Sequence, residues 1–285
     1  MNKNKIAVMA DSGTDVPPNY REKYGIYWLP LLINYSDRTY LDGIDIQPHE
    51  MYDRLPVEIP KTSLPDRGMV TDLFDRIKAD GYEKLLVVTI SSGLSGTYNM
   101  VRLAAEDYSG LEISVLDTRN ISIGSGLIAI RAAQMVNDEE MDWHELLIRI
   151  KHEVPKSKVF FCLDTLKYLQ KGGRIGLVSA MLGMSLSLKP IISCNAEGIY
   201  YTAAKAIGRA RSIQKVLDLA KEFASQSSRS ELAVMNGYAE EEGIATRRRA
   251  EAFIVNGEVT VTGQIGAALG VHTGPGLIGI GVLQR

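Results

Sequence analysis

Cysteine and histidine are scarce in this chain, two and four among 285 residues, and their scarcity narrows the chemistry open to it. Cys162 and Cys194 stand inside the apolar runs VFFCLD and PIISCN, so they read as buried thiols and give no disulfide framework. A zinc-protease helix needs H-E-x-x-H, and neither HEMYD nor HELLI has the second histidine. The dipeptide Gly-Lys does not occur, which excludes a Walker A phosphate loop. A net charge of −2 offers no basic face for nucleic acid, and the densest basic run, Arg247 to Arg249, reads as a solvated helix face. The opening MNKNKIAVMAD has too few apolar residues for a signal h-region. The uncharged stretch Ile175 to Leu188, 14 residues, falls short of a membrane-spanning helix. A cytoplasmic location is expected, with at most transient membrane contact. No internal repeat or low-complexity tract is visible.

What is present is an alternation. KIAVMA, IYWLPLLI, KLLVVTI and LEISVL read as strands. Between them PHEMYDRL, PDRGMVTDLFDRIKADG and YNMVRLAAEDY read as helices, the second opening at Pro65 and closing at Gly81. Such alternation predicts a parallel sheet covered by helices, with ligand loops at the carboxyl ends of strands. After two more helical patterns and Pro155 the character changes. KVFFCLD, KPIISCN, GIYYTA, ELAVMN, EVTVT and LIGIGVL are short strands around one long helix, roughly Arg209 to Ser225, and NAEG joins two of them as a hairpin. The expected fold is α/β in two domains. Residues 1–155 would form a parallel α/β domain with the binding loops, and residues 156–285 a mostly antiparallel α/β domain.

The stretch SSGLSGT, Ser91 to Thr97, lies between a strand and a helix, where hydroxyls and backbone N–H groups can hold an anion or activate a serine. It is not a nucleophile elbow, because Thr97 stands where G-x-S-x-G needs its last glycine. A hydrolase would also need a histidine. His144 and His152 fall on a charged helical pattern and His49 sits at a helix start; only His272, in GVHTGPGLIGIG, enters a glycine-rich loop. Gly124 to Ala129 matches G-x-G-x-x-A but starts too far past the strand end at Asp117, so a tightly packed helix explains it better. Thr62-Ser63-Leu64-Pro65 precedes a helix and supplies either an N-cap or a second hydroxyl-rich turn. Two such turns with no fixed cation nearby suit a carboxylate better than a polyphosphate. In LKYLQKGGRIG the glycines end a helical turn, and Arg174 stands at the edge of the uncharged stretch.

Together the motifs resemble the DegV family of bacterial proteins. The resemblance rests on Asp11-Ser12 with Asp15 and Pro17, Thr62-Ser63 with Pro65, Ser91 to Thr97, and Asp117. It continues through Ser122-x-Gly124-x-Gly126, Leu166-x-Tyr168-Leu169-x-Lys171-Gly172-Gly173-Arg174-Ile175, Lys189-Pro190-Ile191 and His272-x-Gly274-Pro275-Gly276. It implies a protein without catalysis or cofactor of its own that binds one long-chain fatty acid between two domains. As the acyl-binding subunit of a bacterial fatty acid kinase, it would present the carboxylate to a separate ATP-binding subunit, and the acyl phosphate would feed phospholipid synthesis. By the same resemblance Thr62 and Ser95 hydrogen-bond the carboxylate, the Gly96 N–H lies nearby, and His272 completes the network. Arg174, Arg209 and Arg211 would face the kinase. The uncharged stretch with Met181 and Met184 is either a wall for the acyl tail or an ordinary core helix. The chain departs from the family at Leu64 and Asp66, where glutamine and serine are common, and at Gly13, where threonine is common. Asp66 would place a negative charge near the carboxylate. The rival expectation is an enzyme, an acyl hydrolase using Ser95 and His272 or a phosphotransferase.

Overall fold

The computed structural model of the chain describes residues 2–183, 185, 187–253 and 257–285. Four parallel strands form the first sheet in the order Tyr27–Leu29, Ile6–Asp11, Lys84–Thr89, Glu112–Asp117. Because successive side chains point to opposite faces, Ala7, Met9, Leu85 and Val87 pack on one side against Val70, Phe74 and Val101 of the helices Arg67–Ala79 and Thr97–Glu106. Ile6, Val8, Leu86 and Val88 face the other way, into the main core.

The second sheet has six strands, ordered Tyr200–Ile207, Leu188–Cys194, Ser157–Cys162, Leu277–Gln284, Ser230–Gly237, Gly257–Gln264. Its neighbours are antiparallel except the last pair, which runs parallel. The helix Arg209–Ala224 covers one face through Ile213, Val216 and Leu217. The other face, with Val159, Phe161 and Met235, turns toward the first sheet.

Between the sheets lies the helix Ile123–Asn137, with nearly every residue buried. That explains why only a narrow strip of it, Arg131, Gln134 and Asn137, carries long polar side chains, since little of the helix faces solvent. It also explains G-x-G-x-x-A: a Cβ on Gly126 would stand 2.4 Å from the carbonyl oxygen of Thr14. The two sheets therefore share one core.

Three expectations are corrected here. IYWLPLLI is not one strand. It divides at Pro30, which has no N–H for a ladder, into Tyr27–Leu29 in the parallel sheet and Leu32–Asn34 in a small antiparallel sheet with Thr39–Leu41 and Lys61–Ser63. The helix expected from Pro65 begins at Arg67, capped by Asp66, whose Oδ1 accepts the Met69 N–H at 2.9 Å. His272 is not in a loop but at the end of a short helix, Ala267–Thr273. Among the described residues no helix is long and apolar enough to cross a membrane.

Candidate functional site

The loop after the strand Lys84–Thr89 divides its serines between structure and site. Ser91 is fully buried; its hydroxyl donates to the Gly198 carbonyl at 2.8 Å and accepts the Gly93 N–H at 3.0 Å. Ser92 donates to Asp117 Oδ2 at 2.6 Å. The first ties the loop to the hairpin of the second sheet, the other to the neighbouring strand. Ser95 remains. Its Oγ pairs with Thr97 Oγ1 at 2.8 Å and accepts the Thr97 N–H at 3.3 Å, which aligns it at the start of the helix Thr97–Glu106.

Ser95 and Gly96 line a cavity of about 190 Å³ together with Thr62, Arg174 and His272. The strand Lys61–Ser63 presents Thr62, whose Oγ1 lies 2.6 Å from His272 Nε2. Arg174 follows the Gly172-Gly173 turn, where Gly173 adopts a φ of +69°. Arg174 Nη1 donates to the Gly172 carbonyl at 2.7 Å and Nε to that of Leu94 at 3.4 Å. Apolar residues complete the wall: Leu31, Leu64, Ile90, Leu94, Ile121 and Leu269. Ile121, Tyr200, Leu269 and Thr273 also border a deeper void of about 20 Å³, whose other walls include Val159, Phe161, Met235, Ile265 and Leu277. Polar groups gather in the outer chamber and hydrocarbon lines the inner one, the layout of a site for an amphiphile.

Burial, with Arg174 adding to it, pushes the His272 imidazole down to about 4, so the ring is neutral at neutral pH. Its Nδ1 is buried without a hydrogen-bond partner among the described residues. It packs on Gly172, where a Cβ would stand only 2.1 Å from Nδ1. The neutral tautomer that leaves no ring N–H unpaired is the one with its proton on Nε2, where it is donated to Thr62 Oγ1. The threonine hydroxyl proton is then free to point into the cavity. Burial also holds the Tyr200 phenol neutral, well above its ordinary range.

The structure thus brings Thr62, Ser95, Gly96 and His272 to one cavity. It treats the three arginines differently. Arg174 stands on the cavity wall, which supplies the cation that the sequence reading found missing from these turns. Arg209 is paired within the chain: its fork meets Glu242 at 2.6 and 3.0 Å, with Asp164 3.3 Å away. Arg211 is exposed. Asp66 caps its helix and does not line the cavity.

The uncharged stretch is not the cavity wall among the described residues. Val178 and Met181 are buried, but Met181 borders a different depression, beside Leu163 and Leu188. Met184 lies outside the described residues. The inner wall comes instead from Ile121, Tyr200, Leu269 and their neighbours, scattered over the chain and brought together only by the packing of the two sheets. No local motif announces them.

The DegV family model, described as "Uncharacterised protein, DegV family", matches residues 5–285. A DegV domain-containing protein of Clostridium acetobutylicum is 40% identical over 286 residues, covering 99% of each chain. A solved DegV family protein from Thermus thermophilus, described by its fatty acid binding, superposes with a TM-score of 0.89 at 28% identity over 100% of both chains. A stearic acid-binding protein from Eubacterium ventriosum gives a TM-score of 0.89 at 28% identity over 98% of both. With the family model matching nearly end to end and a relative 40% identical over 99% of each chain, this chain belongs to the DegV family.

Proposed function

We propose that the chain binds a long-chain fatty acid, with its carboxylate in the outer chamber and its tail directed into the inner one. The observation that carries this reading is the composition of the cavity: Thr62, Ser95, Gly96, His272 and Arg174 converge at one end, and the continuation beyond Tyr200 is hydrocarbon. The fatty acids bound by the Thermus and Eubacterium relatives support it. The inner void is close to a single water-sized space, so a tail enters by displacing side chains. Met235 is suited to that because methionine changes shape at little cost. Burying fifteen methylenes is worth roughly 12 kcal/mol before association and ordering costs, whereas one charge-assisted hydrogen bond gives about 1.5–3 kcal/mol. The tail sets affinity and the polar groups set position.

The cavity lies between the regions we read as two domains, 1–155 and 156–285, and the presented carboxylate would be the substrate of a separate ATP-dependent fatty acid kinase subunit. Arg211 remains the exposed arginine for that contact. The hydrolase reading is weaker. His272 Nε2 is engaged by Thr62 and Ser95 by Thr97, so the serine has no base, and nothing among the described residues orients the histidine through Nδ1. Titration with palmitate and with methyl palmitate tests the proposal, followed by addition of the kinase subunit and ATP. Palmitate should bind more tightly than its ester, and acyl phosphate should form only when the kinase is present. Equal binding of acid and ester would overturn the carboxylate site. Turnover of acyl esters without a partner would overturn the division of labour.

A further inference from the structure

Behind the cavity three carboxylates, Asp11, Asp15 and Asp42, are buried together, and none lines the chamber that holds Thr62 and His272. Two of them reach across to the segment that carries the histidine. Asp15 Oδ1 accepts the Gly266 N–H at 2.8 Å while its Oδ2 accepts a hydrogen bond from Ser122. Asp42 Oδ1 accepts the Ala268 N–H at 3.2 Å. Both press on one face of Gly266, where a Cβ would stand 3.0 Å from Asp15 and 3.3 Å from Asp42.

The helix they meet, Ala267–Thr273, has seven residues with Gly270 at its centre, too few to hold its own orientation. It is bounded by Gly266 and by Gly274 at a φ of +68°. Its placement therefore depends on what grips its ends. Asp15 and Asp42 grip the first turn, and the last turn delivers His272 Nε2 to Thr62 Oγ1.

We propose that Asp15 and Asp42 are positioning residues for the carboxylate site: they set the helix Ala267–Thr273 so that His272 meets Thr62. The inference rests on reading that chamber as the carboxylate site. An accepting side-chain oxygen at each position does this because it faces an N–H group that has no partner within the helix. A shift of the first turn is passed along one short rigid element to the imidazole. Residues that served stability alone would change melting temperature without changing the histidine.

The test uses the whole chain, stripped of bound lipid, with 15N-labelled histidine and no added ligand, so that its outcome is independent of what binds. In the parent protein His272 should keep its neutral signature down to about pH 5, its ordinary value being near 6.5. Asp15→Ala with Asp42→Ala should release the ring, raising its titration midpoint by about one unit or more. Asp15→Asn with Asp42→Asn keeps an acceptor at each position and should preserve the parent signature. Should the alanine pair fail to fold, Gly266→Ala displaces both carboxylates without removing either, at a φ of −60° that alanine accepts. It should release the ring in the same way. A folded alanine pair or Gly266→Ala variant whose His272 titrates as in the parent overturns the inference.

A second arm compares palmitate with methyl palmitate. The alanine pair should lose about tenfold of the acid-over-ester preference while ester affinity holds, and the asparagine pair should retain it. Equal binding of acid and ester by the parent protein would instead refute the carboxylate reading, and the imidazole signal would still decide the tether.

Discussion

Replacing Arg174 by methionine keeps an unbranched apolar stem and removes the charge. Arg174 lines the outer chamber with two of its nitrogens committed to backbone carbonyls, so the guanidinium is held in place before any ligand arrives. A carboxylate about 4 Å from it, at an effective dielectric near 20, would gain about 4 kcal/mol. Arg174 is only partly buried, and solvent screening reduces that figure toward the 1.5–3 kcal/mol typical of a charge-assisted hydrogen bond. Palmitate affinity should therefore fall about 10- to 150-fold. Methyl palmitate should lose less than about threefold, because its head group carries no charge for the arginine to meet. Calorimetric titration of both ligands at pH 7.5 makes the comparison. Arg174→Lys should recover part of the loss, since an ammonium keeps the charge but not the planar fork. Parallel loss of acid and ester would mean that the arginine only supports the fold of the Gly172-Gly173 turn. No loss in either would place it outside the site.

Other perturbations read different parts of the account. Thr62→Ala with Ser95→Ala should reduce kinase-dependent acyl-phosphate formation much more than palmitate affinity, because transfer depends on geometry; proportionate losses would contradict the clamp. Gly172→Ala puts a methyl where His272 Nδ1 now lies, so it should break the Thr62–His272 bond and weaken the acid-over-ester preference, which a titration of both ligands would detect. Stability should fall with rising pH above about 6.5. Burial pushes Asp11 up to about 7, Asp15 to about 8 and Asp42 to about 6, and stabilisation from such groups is complete below their unfolded values and lost as pH rises through the folded ones. His272, held down at about 4, acts oppositely but only below its unfolded value near 6.5. The slope is up to about 1.4 kcal/mol per pH unit for each proton retained, so melting temperature should drop from pH 6.5 to 8 and Asp15→Asn should flatten the fall; a flat or rising profile in the parent would contradict it.

Much of this was legible where a local pattern carries the information. KLLVVTI is buried along its length because it is an inner strand between two parallel neighbours, and the run of β-formers says so. SSGLSGT was legible as a strand-to-helix turn, although only geometry separates Ser91 and Ser92, which fasten the loop, from Ser95, which faces the chamber. The strands Leu32–Asn34, Thr39–Leu41 and Lys61–Ser63 are each three residues long, too short for a period to emerge, and they place Thr62. AALGVHT has a central glycine and no cap signal; the acceptors for the N–H groups of Gly266 and Ala268, Asp15 and Asp42, come from far along the chain. Arg174 and Arg209 look alike in sequence. One meets a cavity and the other Glu242, and that difference arises only when distant segments pack.

The central claim is that a fatty acid occupies this chain. Mass spectrometry of an organic extract of the purified protein tests it most directly, with the lipid quantified against protein concentration. The account predicts about one long-chain fatty acid per chain, and a stripped protein that takes palmitate back at the same stoichiometry. A preparation that yields no fatty acid and takes up neither palmitate nor oleate when they are supplied would contradict it.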